Sequence, residues 1–127
     1  MMATHEIVTE ARDGVLLARI SRPEKKNALT VAMYAALAAR LKEAETDPET
    51  RVLVLTGSGD SFTSGNDIAD FLTAPPSGED SPVFQFLTAL HRFEKPLIAA
   101  VNGVAVGIGV SLLLHCDLVY ARAGALL

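Results

Sequence analysis

The pattern of apolar and polar positions divides the first third of the chain into a hairpin, a loop and a helix. HEIVTEA and VLLARI, joined through Asp13-Gly14, predict two antiparallel strands with a tight turn. A polar loop follows, and Thr30 has the side chain of a helix N-cap. The apolar residues of the predicted helix recur on one face, at Tyr34, Leu37, Leu41 and Ala44.

The rest of the chain alternates compact apolar runs with helical segments. RVLVLTG and LIAAV have the composition of strands buried on both faces of a sheet. Ser81 and Pro82 predict the start of a helix over VFQFLTALHRFE, because both residue types favour the first positions of a helix. A short helix from about Ile68, another over residues 107–115 and a final strand, DLVYA, complete the pattern. Alternating strands and helices indicate an α/β fold with parallel pairing in its core.

Composition and charge narrow the class of protein. The chain has 127 residues, half of them hydrophobic and a fifth charged, which predicts one folded domain at most. A net charge of −4 argues against a nucleic-acid partner. The single cysteine, Cys116, fits a reducing compartment, and the N-terminus lacks the apolar core of a secretory signal. We therefore predict a cytoplasmic protein.

Residues 96–114 carry no charge and approach the length of a membrane span. The run nevertheless begins with a proline, has Asn102-Gly103 near its middle and contains further glycines. An Asn-Gly pair is a turn signal. We interpret the segment as a strand, a turn and a helix, and expect no membrane insertion.

Several other candidate functional sites have little support in the sequence. Ser111, His115 and Asp117 invite comparison with a hydrolase triad, but the first two lie four residues apart on one predicted helix and the G-x-S-x-G turn is absent. The spacing of His, Cys, Asp and Glu predicts no metal site. Asp67 is interpreted as a carboxylate at a helix N-terminus. The basic loop Arg22 to Lys26 is interpreted as solvated surface, with contact to a ligand phosphate as the alternative.

Two turns made of small residues are more suggestive. Residues 64–67 (SGND) and residues 106–109 (VGIG) each follow a predicted buried strand and precede a helix. Backbone N–H groups at such positions are free to bind an anion, and two of them converging on one carbonyl oxygen would form an oxyanion hole. The spacing of the residues leaves it open whether the two turns converge.

Three segments in order resemble one family. RPEKKNALT, FTSGNDIADF and KPLIAAVNGVAVGIGVSLLLHCDLVYA are similar to the enoyl-CoA hydratase/isomerase (crotonase) superfamily, and most similar to its Δ3,Δ2-enoyl-CoA isomerase branch. The resemblance implies an α/β, crotonase-like (ClpP/crotonase) fold, a spiral of ββα units. Residues 1–127 would be its N-terminal core, with the C-terminal helical trimerisation region outside this chain.

The resemblance also implies site residues and partners. The backbone N–H groups of Asn66 and Ile108 would form the oxyanion hole for an acyl-CoA thioester. Substrate contacts would come from Lys26, Ala28, Ser64, Asp67, Ile68 and, at the wall of the acyl pocket, Val104. Coenzyme A is then part of the substrate and a separate cofactor is not expected. The implied assembly is a homotrimer or a dimer of trimers.

Departures from the family pattern shape the expected reaction. The first of the two glutamates of the hydratases would fall at Ser111, and a serine is no carboxylate base. The remaining catalytic acid would lie beyond Leu127, and the apolar end of the chain leads us to expect a larger protein. We predict an isomerase that moves a double bond from position 3 to position 2. An enoyl-CoA hydratase and a non-catalytic acyl-CoA-binding fragment are the alternatives.

Overall fold

The computed structural model describes residues 6–73, 78 and 80–127, and a five-stranded sheet lies at its centre. Its strands, in the order in which they lie side by side, are β1 (Ile7–Arg12), β2 (Val15–Ile20), β3 (Val52–Gly57), β5 (Leu97–Val101) and β7 (Leu118–Ala121). The β1–β2 hairpin is antiparallel and every other neighbouring pair is parallel. Two further strands, β4 (Ser61–Thr63) and β6 (Val104–Ala105), form a small parallel sheet of their own. The predicted hairpin and α/β architecture are confirmed.

In the described part of the chain, four α-helices connect these strands: α1 (Val31–Thr46), α2 (Ile68–Thr73), α3 (Pro82–Arg92) and α4 (Ile108–Ser111). Short 3-10 helices span Pro23–Lys25 and Leu112–His115. The predicted N-caps are confirmed, since Thr30 Oγ1 accepts a hydrogen bond from the Met33 N–H at 3.1 Å and Ser81 Oγ accepts one from the Phe84 N–H at 3.4 Å. Such a cap contributes roughly 1 kcal/mol to stability.

One hydrophobic cluster joins α1 and α3 to the sheet. Its largest fully buried side chains include Tyr34, Phe62 and Phe86, and the rings of Tyr34 and Phe86 lie 5.5 Å apart between centroids. Burial of each large apolar side chain contributes about 1.5–3 kcal/mol. The face of α1 predicted to be apolar is therefore the face that binds the helix to the rest of the molecule.

Three details differ from the predictions. In β3, buried Leu53 and Leu55 alternate with half-buried residues, and β5 alternates in the same way, so burial on both faces was wrong. The fully buried positions are those that share the cluster with α1 and α3, which cover one face of the sheet. The helix predicted over residues 107–115 is split into a four-residue α-helix and a 3-10 helix. Strands β4 and β6 were not predicted, because two or three residues are too few to show a period.

The segment Pro96–Leu114 contains a strand and a helix on either side of the Asn-Gly pair, as interpreted from the sequence, and also the unpredicted short strand β6. Within the described ranges, every helix is too short or too polar to cross a membrane. Half of the predicted loop TAPPSGEDSP, residues 74–77 and 79, lies outside the described residues.

Two asparagine side chains fix the turn between β3 and β4. The buried Asn27 donates through Nδ2 to the carbonyls of Ser58 and Ser61, at 2.9 and 2.7 Å. From the other side, Asn102 Nδ2 donates to the carbonyls of Gly59 and Ser61, both at 2.9 Å. The Ser61 carbonyl thus accepts hydrogen bonds from both side-chain amides. These two bonds fix the backbone where the chain enters β4.

Lys95 ties the C-terminal end of α1 to the segment before β5. Its ammonium donates to the carbonyls of Ala44, Asp47 and Thr50 at 2.6–2.8 Å. The last carbonyls of a helix lack partners within the helix, and a cation there is favoured by the helix dipole as well. This one side chain therefore satisfies one acceptor in the last turn of α1 and two in the loop that follows it.

Replacing Lys95 with methionine keeps the aliphatic stem and removes these three hydrogen bonds. We expect the free energy of unfolding, measured by urea denaturation, to fall by about 1.5–3 kcal/mol, the usual contribution of a hydrogen bond to a charged group. Lys42→Met is the matched control, because Lys42 is an exposed lysine of α1 for which the structure gives no side-chain hydrogen bond. Equal stabilities of the two variants would contradict the role given to Lys95.

Candidate functional site

The two turns of small residues lie side by side. Strands β4 and β6 pair in parallel, and the Val106 N–H donates to the Thr63 carbonyl at 3.0 Å. Parallel strands end at the same edge of a sheet, so the turns that follow them start next to each other. A Cβ atom built on Gly107 would lie 3.9 Å from the Cα of Gly65. Residues 64–67 and 106–109 therefore share one surface.

Each turn carries a backbone N–H that points away from the protein's own acceptors. Leu29 bridges the first turn, donating to the Gly65 carbonyl and accepting from the Asp67 N–H, both at 2.8 Å. The residue between them, Asn66, is turned outward. Ile108 is the first residue of α4, where an N–H has no partner inside the helix. Among the hydrogen bonds of the described residues, neither of these two N–H groups has a protein acceptor.

Glycine makes both turns possible. Gly65 and Gly107 have φ angles of 99° and 62°, in the region where a side chain is strained. Gly109 is required for a different reason: a Cβ there would lie 2.6 Å from the Cγ2 of Thr63 on β4. The spacing of these glycines, which fits no nucleotide-binding motif, thus reflects close packing of the two turns.

A pocket of about 270 Å³ lies beside the first turn. It is lined by Lys26, Asp60, Ser61, Ser64 and Val104. Three of the residues predicted to contact substrate, Lys26, Ser64 and Val104, therefore meet in one cavity. The ammonium of Lys26 is exposed and lies 3.8 Å from Asp60 Oδ1, a separation at which solvent screens most of the attraction.

Two other predicted contact residues lie outside the lining of this pocket. Ala28 is half-buried, and its carbonyl accepts a hydrogen bond from Arg22 Nη1 at 3.1 Å. Ile68 begins α2 with 72% of its surface exposed. A side chain so large and so exposed is available to an apolar ligand.

Asp67 holds its own helix and one arginine. Its Oδ1 accepts from the Asp70 N–H at 3.0 Å, and its Oδ2 accepts from Arg22 Nη1 at 2.7 Å. The backbone hydrogen bond from Asp70, and after it the bond from Arg22, lower the pKa of the Asp67 carboxyl. This geometry is that of a carboxylate at a helix N-terminus, as interpreted from the sequence.

The prediction that the basic loop is only solvated surface was wrong for Arg22. Its side chain is 14% exposed and lies between the carboxylates of Glu6 and Asp67. The sequence analysis did not predict these two ion pairs, because Asp67 is distant from Arg22 in sequence and Glu6 belongs to no motif. Tyr34 was placed correctly on the apolar face of α1, but its hydroxyl was overlooked; it donates to the side-chain oxygen of Asn66.

The residues of the rejected triad are used separately. Asp117 Oδ2 accepts from the Leu97 N–H at 2.8 Å, and Ser111 Oγ donates to the Gly107 carbonyl at 3.4 Å. Within the described part of the chain, His115 is exposed and has no hydrogen bond to either residue. The arrangement lacks the shared hydrogen bonds by which a triad works.

Comparison with known proteins identifies the family. The sequence profile of enoyl-CoA hydratase/isomerase matches residues 10–126. The chain is 41% identical to human enoyl-CoA delta isomerase 2 over 122 residues, which cover 91% of this chain and 31% of that protein. It is also 38% identical to 2,3-dehydroadipyl-CoA hydratase of Escherichia coli, covering 94% of this chain and 48% of the relative. The chain therefore belongs to the enoyl-CoA hydratase/isomerase family.

Solved structures agree with this assignment. The structure of Pseudomonas aeruginosa OdaA matches with a TM-score of 0.92 and 55% identity, covering 96% of this chain and 49% of that one. An enoyl-CoA hydratase/carnithine racemase from Magnetospirillum magneticum matches with a TM-score of 0.90 and 42% identity, again over 48% of its length. The predicted crotonase-like fold is confirmed, and the chain spans about half of these structures and a third of the human relative.

The pKa of Asp67 gives a test of the local network. A carboxyl whose pKa is lowered by folding stabilises the protein above its unfolded value of about 3.9, and this stabilisation is lost as the pH falls through the lower, folded value. In a ¹³C NMR titration we expect the Asp67 carboxyl to titrate below 3.9. Arg22→Met should raise that pKa part of the way, because the hydrogen bond from Asp70 remains.

Arg19→Met is the control for this titration. Arg19 also binds one carboxylate, Glu10, at 3.0 Å, but on the β1–β2 hairpin. It should leave the Asp67 titration unchanged. An Asp67 pKa that is the same in the Arg22→Met variant as in the unmodified protein would contradict the pairing.

Proposed function

We propose that this chain forms the thioester-binding part of an isomerase that moves the double bond of a 3-enoyl-CoA to position 2. One observation carries the proposal: the outward N–H groups of Asn66 and Ile108 lie on adjacent turns, beside the pocket lined by Lys26, Ser64 and Val104. Two such donors on one carbonyl oxygen stabilise the negative charge that develops there in an enolate.

The proposed reaction moves one proton. A base removes a proton from C2, the electron pair of that C–H bond forms the enolate, and the oxyanion is held by the two backbone donors. The enolate then collapses to the C2–C3 double bond while the former C3–C4 double bond takes a proton at C4. A side chain must carry the proton from C2 to C4, and the family resemblance implies a carboxylate for this role. We propose that it comes from beyond Leu127, because Ser111 stands where a hydratase would have its first glutamate.

Coenzyme A would be bound as part of the substrate, and the proposal includes no separate cofactor. The exposed ammonium of Lys26 suits a phosphate as a point charge. Ser64 and Val104 would line the path towards the thioester, and Ile68 would offer an apolar contact. The carboxylate of Asp67 is paired with Arg22, and its backbone N–H donates to Leu29. We therefore assign Asp67 the role of holding the turn rather than of contacting the ligand. Assembly as a homotrimer or a dimer of trimers remains a prediction from the family resemblance.

Two other functions are distinguished by products. A hydratase would yield a 3-hydroxyacyl-CoA, and the serine at position 111 argues against it. A non-catalytic acyl-CoA binder would give no product. One observation favours the binder: the carboxylates next to the first turn already have partners and are not free to act as a base. Asp67 is paired with Arg22, and Asp70 Oδ2 accepts a hydrogen bond from the Val31 N–H at 2.8 Å.

Ile108→Pro tests the proposed oxyanion donor directly. Position 108 is the first residue of α4, where proline is well tolerated because that N–H has no helical partner. The substitution therefore removes one donor with little expected effect on the fold. In the protein that carries this chain, we expect turnover of a 3-enoyl-CoA to fall about 100- to 1,000-fold, the effect of losing one oxyanion-hole donor.

Ile108→Ala is the matched control, because it shortens the same half-buried side chain and keeps the N–H. Its turnover should stay far above that of the proline variant. Equal turnover by the two variants, with unfolding curves like that of the unmodified protein, would exclude the donor role of Ile108. A 3-hydroxyacyl-CoA as the main product would instead establish the hydratase.

A further inference from the structure

Asn66 differs from its two neighbours in having a side-chain hydrogen bond to the protein core. Gly65 and Asp67 are fixed through their backbones to Leu29. The backbone N–H of Asn66 has no acceptor among the described residues, and the hydrogen bond recorded for its side chain comes from the hydroxyl of Tyr34. The Asn66 N–H shares a planar peptide group with the Gly65 carbonyl, which Leu29 holds, and the side-chain oxygen of Asn66 gives the residue a second anchor in the core.

Tyr34 is a rigid anchor. It lies on α1 with 1% of its surface exposed, and its ring makes an edge contact with Phe71 on α2 and a tilted contact with Phe86 on α3, at centroid distances of 6.0 and 5.5 Å. A ring enclosed on several sides cannot change rotamer without moving the core. Its hydroxyl therefore reaches Asn66 from a fixed point.

The hydroxyl also keeps its proton. Burial raises the pKa of Tyr34 well above the ordinary value for tyrosine. The phenol is neutral throughout the pH range in which thioester enolates are studied, and it donates to the amide oxygen of Asn66. The Asn66 side chain is itself exposed, so that without this bond it would exchange its hydrogen bonds with water.

We propose that Tyr34 is a positioning residue for the oxyanion site: Leu29 sets the direction of the Asn66 backbone N–H through the Gly65 carbonyl, and the buried Tyr34 hydroxyl, by holding the Asn66 side chain, keeps that N–H from shifting. The inference rests on the proposed function, since it concerns the donor assigned there. Tyr34 touches no reacting atom; it acts through Asn66. Oxyanion donors are effective when they are oriented before the charge develops, and this contact helps to maintain that orientation from the core.

A 3-oxoacyl-CoA probe measures this effect without a catalytic turnover. Its enolate resembles the proposed intermediate and has its own ultraviolet band, so the pH at which the bound probe is half ionised reports how well the site stabilises the oxyanion. The unmodified protein should lower this pH relative to free probe. Tyr34→Phe, which keeps the ring and removes the hydroxyl, should raise it by about 0.5–1 pH unit, a roughly three- to tenfold loss of enolate affinity. Affinity for the neutral form should stay the same.

Two further variants separate positioning from general destabilisation. Tyr120→Phe removes the same hydroxyl from the other tyrosine of the chain, which is 64% exposed on β7, and should behave like the unmodified protein. Asn66→Ala breaks the contact from its exposed end and keeps the backbone N–H, so core packing is spared. If Tyr34 acts through Asn66, the double variant Tyr34→Phe/Asn66→Ala should lose no more enolate affinity than Asn66→Ala alone.

The outcomes are distinct. If the unmodified protein does not lower the ionisation pH of the probe, the proposed function fails and this inference fails with it. If it does, but Tyr34→Phe matches the unmodified protein, the positioning role alone is refuted. Losses that add in the double variant would likewise overturn it, because they would show that Tyr34 acts independently of Asn66.

Discussion

The carbonyl oxygen of Ser61 is the point on which the geometry of the site depends. It accepts hydrogen bonds from two side-chain amides, Asn27 at 2.7 Å and Asn102 at 2.9 Å, which arrive from opposite ends of the sequence. A buried amide left without a partner costs about 1–3 kcal/mol, so the fully buried Asn27 in particular resists displacement. The backbone at Ser61 is thereby fixed as it enters β4, and β4 in turn determines where the first of the two turns begins.

From this point the two N–H donors are placed by pairing rather than by contact with a ligand. The parallel pairing of β4 with β6 sets the turns next to each other, and Leu29 bridges the residues on either side of Asn66. At the second turn, a glycine with a φ of 62° allows α4 to begin with the Ile108 N–H directed outward. The donors are thus oriented in the free protein, which is the condition under which an oxyanion site is most effective. Arg22 reinforces the first turn by binding Asp67.

How much of the fold and of the site can be predicted from the sequence depends on how far apart along the chain the contacting residues lie. Thr30 and Ser81 cap helices through residues three positions away, and the Asp13-Gly14 turn joins neighbouring strands, so local pattern sufficed. The family resemblance supplied Asn66 and Ile108 as a pair. The contacts of Arg22 with Asp67 and of Tyr34 with Asn66 join residues 45 and 32 positions apart, and periodicity carries no information about them. The apolar face of α1 predicted that Tyr34 is buried. It could not predict the partner of the Tyr34 hydroxyl, because an apolar pattern does not show where a polar group at the end of a buried side chain binds.

The central claim is that the two backbone donors bind one thioester oxygen, and the most direct measurement is the infrared stretching frequency of that carbonyl. An acyl-CoA labelled with ¹³C at the thioester carbon would be bound to the protein, and the labelled band would be isolated by difference spectroscopy. Two hydrogen bonds from Asn66 and Ile108 polarise the carbonyl, so we expect its band to move to a clearly lower frequency than in water. A bound thioester with the same frequency as the free one would contradict the account.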